Sequence, residues 1–245
     1  MKTLVLDIET RPDAAACARA GADPAAGFPP FPLHEILCVS ILEIVRSGWN
    51  EHTYAINTYS RLDLSERGII EAVEEHVSDA QCVVTYNGRG FDVPVVIARA
   101  ALCGLVVPAI NTLAIRVTGR HEDLLDEVCF NRAAPRPPLS ALCGAFNIPV
   151  KIEAHGGNVT ALAEAGDLAR VTRYCETDVV ATYLARCMWR STQVRGTGIE
   201  DWNRLAAWIR SDQPHLAHLL PYATPPRGGG GGACLTPAHL RNCDL

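Results

Sequence analysis

The chain has 245 residues, 48% of them hydrophobic and 20% charged, enough to bury one sizeable core with a small appendage. A formal net charge of −5 excludes a surface that coats duplex nucleic acid non-specifically, but is compatible with nucleic acid in a local groove whose clustered carboxylates are offset by cations. No window approaches the ~20 consecutive apolar residues of a membrane helix. Met1-Lys2-Thr3 also lacks the charged region, apolar core and cleavage site that open a signal peptide, so a cytoplasmic protein with no membrane partner is expected.

In chain order, residues 2–8 alternate and then turn apolar, which predicts a strand. Residues 11–33, rich in Ala, Pro and Gly, form a long loop with a short helix near Ala14–Ala20. Strands follow over 35–46 and 51–57, joined by a turn at Gly48–Asn50. A helix over 65–78 carries Ile69, Ile70, Val73 and Val77 on one side, and residues 81–86 make a strand apolar enough to be central. The remainder is read as helices over 90–103, 111–128, 138–146, 158–165, 167–190 (with Asp167 as N-cap) and 199–211. Pro225-Pro226-Arg227 and Gly228–Gly232 read as a flexible linker. The expected domains are one folded domain over 1–212 and a Pro/Gly-rich linker and flexible tail over 213–245. Strands followed by helices predict an α/β fold, a mixed sheet flanked by helices on both faces. The ten cysteines include no CxxC pair, and several lie in apolar runs, as reduced core thiols do.

Three segments stand out chemically. In Asp7-Ile8-Glu9-Thr10, residues i and i+2 of a strand share a face, so Asp7 and Glu9 project together while Ile8 turns to the core. Two adjacent carboxylates repel unless a cation lies between them, and hard oxygen donors suit Mg²⁺ or Mn²⁺. A solvated acidic strand end has the same pattern. In Tyr86-Asn87-Gly88-Arg89-Gly90-Phe91-Asp92, glycines permit a tight turn and Asp92 falls in the first turn of a helix, where negative charge is favoured; an ordinary strand–turn–helix link does likewise. In Tyr174-Cys175-Glu176-Thr177-Asp178, positions i and i+4 of a helix address one point. Asp178 sits among apolar neighbours, a costly place for an unpaired charge, and Glu176 lies on another, solvated face.

The order of these segments, with NGRGFDVPVV, HEDLLD and RYCETDVVATYL, resembles the DEDD exonucleases of ribonuclease-H-like fold. The tyrosine resembles the DEDDy branch, and the likeness is closest to bacterial predicted exonucleases similar to the proofreading domain of family-B DNA polymerases. It covers roughly residues 1–190, with gaps. The resemblance implies that Asp7, Glu9, Asp92 and Asp178 ligate two divalent cations, Mg²⁺ or Mn²⁺. One cation would activate a water and the other stabilise the leaving 3′-oxygen. Tyr174 would orient that water, Thr10 would lie where main-chain groups receive the terminal nucleotide, and Asn87 and Phe91 would shape its pocket, with Phe91 a candidate for stacking on a base. Lys151 and Arg89, and also Arg120, are candidate phosphate contacts; a solvated loop lysine fits Lys151 equally. Asp123 or Asp126 faces the cleft or bonds structurally, and His34 and the tryptophans of 199–211 read as structural.

The expected activity is 3′→5′ hydrolysis of nucleic acid, with single-stranded or frayed DNA favoured and RNA as the alternative. A catalytically retired binding module is a third reading, although all four carboxylates and the tyrosine are present.

Overall fold

The structure, a computed structural model, describes residues 1–48, 51–116, 119–150, 159–194, 198–211 and 215–226. Five strands form one mixed sheet: β1 (Lys2–Pro12), β2 (His34–Arg46), β3 (His52–Ser60), β4 (Cys82–Thr85) and β5 (His121–Asp123), in the order β3-β2-β1-β4-β5. Strand β2 runs antiparallel to both β1 and β3, and β4 and β5 add in parallel on the other side of β1.

Helices cover both faces, as expected. On one lie α2 (Glu66–Asp79), α3 (Asp92–Leu102) and α4 (Pro108–Leu113). Their Ile69, Val73, Val95 and Ile110 pack on Leu4, Leu6 and Ile8, the even positions of β1. On the other lie α8 (Leu168–Arg190) and α9 (Ile199–Ser211), whose Val180, Leu184, Trp202 and Leu205 pack on Val5, Leu42 and Val84. The period-2 alternation of β1 thus separates two cores. Local signals set the helix starts: Ser65 accepts from the Gly68 N–H to open α2, and Asp167 from the Arg170 N–H to open α8. Shorter helices are α1 (Ala14–Ala20), α5 (Leu124–Val128), α6 (Leu139–Ala145) and α7 (Val159–Glu164).

Two expectations are corrected. The single helix over 111–128 is instead α4, strand β5 and α5. Strand β5 is His121-Glu122-Asp123, wholly buried yet wholly polar, so it carries no apolar signature. Each side chain is satisfied: His121 by Thr85 Oγ1 and the Leu113 carbonyl, Glu122 by Arg186, Asp123 by backbone N–H groups. The second concerns the boundary at 212. A 3-10 helix over Ala217–Ala223 buries Leu219 and Tyr222, and the Trp202 indole N–H donates to the Tyr222 carbonyl at 2.7 Å. Apolar residues after Pro214 return to the core and extend the folded unit beyond the expected linker. The Gly-rich stretch and tail lie outside the described residues.

Candidate metal centre and active site

Strand β1 is much longer than β4, and only Thr3–Val5 of β1 pair with it. Beyond Val5 that edge of β1 lacks β4, and the start of α3 meets it: the Ile8 N–H donates to Asp92 Oδ1 at 3.3 Å. On the other edge, pairing with β2 shifts register between Glu9 and Thr10. Asp7 and Glu9 continue the row of Val5 toward α8, where Tyr174 and Asp178 lie one turn apart. Oxygens of Asp7, Glu9 and Asp178 come within 4.8 Å of one another. Asp92 stands beside this trio, bonded to the strand between Asp7 and Glu9.

Burial and mutual repulsion disfavour the charged forms of these carboxylates. Burial raises the pKa of Asp7 well above the carboxylate range, and the charges of Asp92 and Asp178 raise it further. Burial likewise raises Glu9, followed by the charges of Asp7 and Asp178. Burial lifts Asp92 to about 7. Cys175 Sγ donates to Asp7 Oδ2 at 3.6 Å, which only partly offsets this. Burial, then the neighbouring carboxylates, also raises Tyr174, so its phenol stays protonated and can donate. Closely spaced hard oxygen donors that repel one another fit divalent cations of the Mg²⁺ or Mn²⁺ kind.

The loop between β4 and α3 is strapped from below. Asn87 adopts φ 66°, and the buried Asp123 carboxylate accepts from Asn87 N and Arg89 N, both at 2.9 Å, and from Leu125 N at 3.1 Å. A Cβ at Gly88 would collide with the Thr85 side chain, and one at Gly90 with Asn87, so the tight loop requires both glycines. Asp123 therefore bonds structurally and does not face the cleft. Phe91 is flanked by His34 and Phe28, with ring centroids 5.2 and 5.4 Å away. His34 is structural, held by Thr10 Oγ1 at 3.0 Å and the Pro29 carbonyl at 3.1 Å. Phe28, 76% exposed, is an aromatic on this rim that sequence reasoning missed; its only signal was the run Phe28-Pro29-Pro30-Phe31.

Other candidates are placed differently. Asn87 Oδ1 accepts from Arg136, and Arg89 bonds the His121 carbonyl and pairs with Asp126 at 3.4 Å. Arg120, a candidate phosphate contact, is committed to the Val77 and Ala80 carbonyls at the end of α2. Glu176, expected in solvent, bonds Thr58 Oγ1 at 2.7 Å and pairs with His218 at 2.6 Å, tying α8 to β3 and the C-terminal 3-10 helix. Lys151 lies outside the described residues. A cleft opens beside Tyr174 and Asp178, walled by Leu139, Ser140, Cys143 and Tyr222.

Residues 26–223 match a family model described as a predicted 3′-5′ exonuclease related to the exonuclease domain of PolB. The match spans Asp92, Tyr174 and Asp178 and begins after Asp7 and Glu9. Among solved structures, the family B DNA polymerase of the hyperthermophilic archaeon Pyrobaculum calidifontis is similar, with a TM-score of 0.53 and 17% identity over 91% of this chain and 27% of the polymerase. The chain thus spans about a quarter of that polymerase, and the likeness is one of fold. No curated protein matches.

Proposed function

Because this chain belongs to the family of predicted 3′-5′ exonucleases related to the exonuclease domain of PolB, we propose that it removes nucleotides from the 3′ end of single-stranded or frayed DNA, with Asp7, Glu9, Asp92 and Asp178 as metal ligands. The observation that carries this reading is the convergence of Asp7, Glu9 and Asp178 within 4.8 Å, with Tyr174 one helical turn from Asp178. Two divalent cations held there would supply the positive charge that favours attack at a phosphodiester and departure of the 3′-oxygen.

The chain's own groups do the rest. Tyr174, protonated and buried beside Asp178, holds the attacking water by a hydrogen bond. Asp92 reaches the cluster from the opposite face of the sheet, bound to the Ile8 N–H, and so fixes the end of β1 against α3. Phe91, with Phe28 beside it, offers an aromatic face to the terminal base. Thr10 bonds His34 and keeps the end of β1 in place under that nucleotide. Water adds to the terminal phosphorus, the P–O3′ bond breaks, and a nucleoside 5′-monophosphate leaves a strand one unit shorter with a new 3′-hydroxyl.

The test uses 5′-labelled single-stranded DNA and RNA of one sequence with Mg²⁺ or Mn²⁺, with EDTA and Asp7→Ala as controls. A DNA ladder shortening from the 3′ end, absent in both controls, is expected. Degradation of RNA alone would replace DNA as the substrate, and cleavage that persists in Asp7→Ala would remove the site assignment.

A further inference from the structure

Next to the candidate site lies a pocket unlike the rest of this acidic chain. Its charged lining is Arg89, Arg116, Arg132 and Arg136 with two carboxylates, Asp123 and Asp126, around an apolar floor that includes Val93 and Ile97. Asp123 spends its oxygens on backbone N–H groups, and Asp126 pairs with Arg89 at 3.4 Å and Arg116 at 2.9 Å. Among the described residues, Arg132 and Arg136 have no carboxylate partner, so the pocket keeps excess positive charge. The backbone that presents Arg132 is itself unusual. Phe130, Asn131 and Arg132, none of them glycine, adopt φ of 50°, 53° and 78° in succession. Such a run is sterically unfavourable and persists where surrounding bonds impose it. Here the Asn131 N–H donates to the Asp126 carbonyl at 2.7 Å and Ala134 N–H to the Cys129 carbonyl at 3.0 Å.

The pocket is also continuous with the cleft. A depression over Tyr86, Asn87 and Pro137 shares Pro138 and Leu139 with the cleft at Tyr174 and Asp178. It shares Gly90 and Arg136 with the arginine pocket. A strand leaving the cleft over this ledge reaches Arg136 first and Arg132 and Arg116 beyond it. Guanidinium groups match phosphate oxygens in geometry and charge.

We propose that the arginine pocket binds backbone phosphates of the substrate strand on the 5′ side of the nucleotide being removed. The proposal rests on the exonuclease reading and makes the enzyme sensitive to strand length, not to base sequence. A single-strand phosphate contact contributes about −0.7 to the slope of log affinity against log salt.

The test compares wild type with Arg116→Gln/Arg132→Gln on DNA of two to ten nucleotides, reading KM, kcat and their salt dependence. In wild type, kcat/KM should rise with length over this series. In the variant it should flatten, through KM and not kcat, and the salt slope should fall by roughly 1.4, about 0.7 for each arginine removed. Arg132→Lys alone keeps the charge and should leave the slope close to that of wild type. An unchanged slope and length dependence in the double variant overturns the proposal, as does an equal loss at every length, which would mark the arginines as supports of the loop. Should wild type cleave nothing, the exonuclease reading fails separately. The pocket is then judged by fluorescence anisotropy of a labelled decanucleotide: a smaller salt slope in the variant supports it and an equal slope overturns it.

Discussion

At the scale of single residues, the carboxylate cluster sets binding chemistry against stability. Asp178 raises the pKa of both Asp7 and Glu9, so removing its charge relieves repulsion in the metal-free protein. Asp178→Asn should therefore melt higher than wild type without metal, by about 1 kcal/mol in stability, while losing cleavage. Differential scanning fluorimetry in EDTA, paired with the nuclease assay, checks both; a lower melting point would deny the repulsion. This geometry was legible because its periods are short: Asp7 and Glu9 are two apart on a strand, and Tyr174 and Asp178 four apart on a helix. Glu176 was misplaced because its partners, Thr58 and His218, come from distant segments that no helical period reveals. Phe28 was missed for a related reason. Its value lies in standing over Phe91 and His34, a contact made only once the loop after β1 folds back.

At the scale of elements, β5 and α5 act as the foundation of the loop that carries Asn87, Phe91 and Asp92. One carboxylate, Asp123, caps α5 and holds two N–H groups of that loop. Asp123→Ala strips all these acceptors and should cost about 2–4 kcal/mol, from a lost helix cap plus unsatisfied buried donors. Urea denaturation measures that cost, and hydrogen exchange should show the Asn87 and Arg89 amides exchanging faster than those of β1. If protection there matches wild type, Asp123 is not the strap. The same element explains the misread helix over 111–128. Sequence patterns find strands through apolar alternation, and β5 has none, because its buried side chains are satisfied by long-range partners such as Arg186 on α8. By contrast α2, α8 and α9 were legible to within a residue or so, since their starts carry caps or their buried faces repeat at helical spacing.

At the scale of the whole molecule, a net charge of −5 conceals two opposite groupings, a half-buried carboxylate cluster and a pocket lined by arginines. Composition averages the two away; only the fold separates them. The folded unit also reaches past the expected boundary to Tyr222, so the C-terminal 3-10 helix walls the cleft beside Asp178 as well as packing into the core. One global observable follows from this arrangement. Because the oxygens of Asp7, Glu9 and Asp178 converge only in the folded chain, a divalent cation held by the proposed centre would bind the native state in preference to the unfolded one and stabilise it. At a concentration near 100 times its dissociation constant, one bound ion contributes about 2.7 kcal/mol, which for a chain of this size is a rise of roughly 5–10 °C. Titration of Mg²⁺ and Mn²⁺ by thermal shift should show such a rise in wild type and little in Asp7→Ala, which lacks a central ligand. An equal rise in both proteins would mean that the cation acts elsewhere, since a site built on Asp7 cannot survive its removal unchanged.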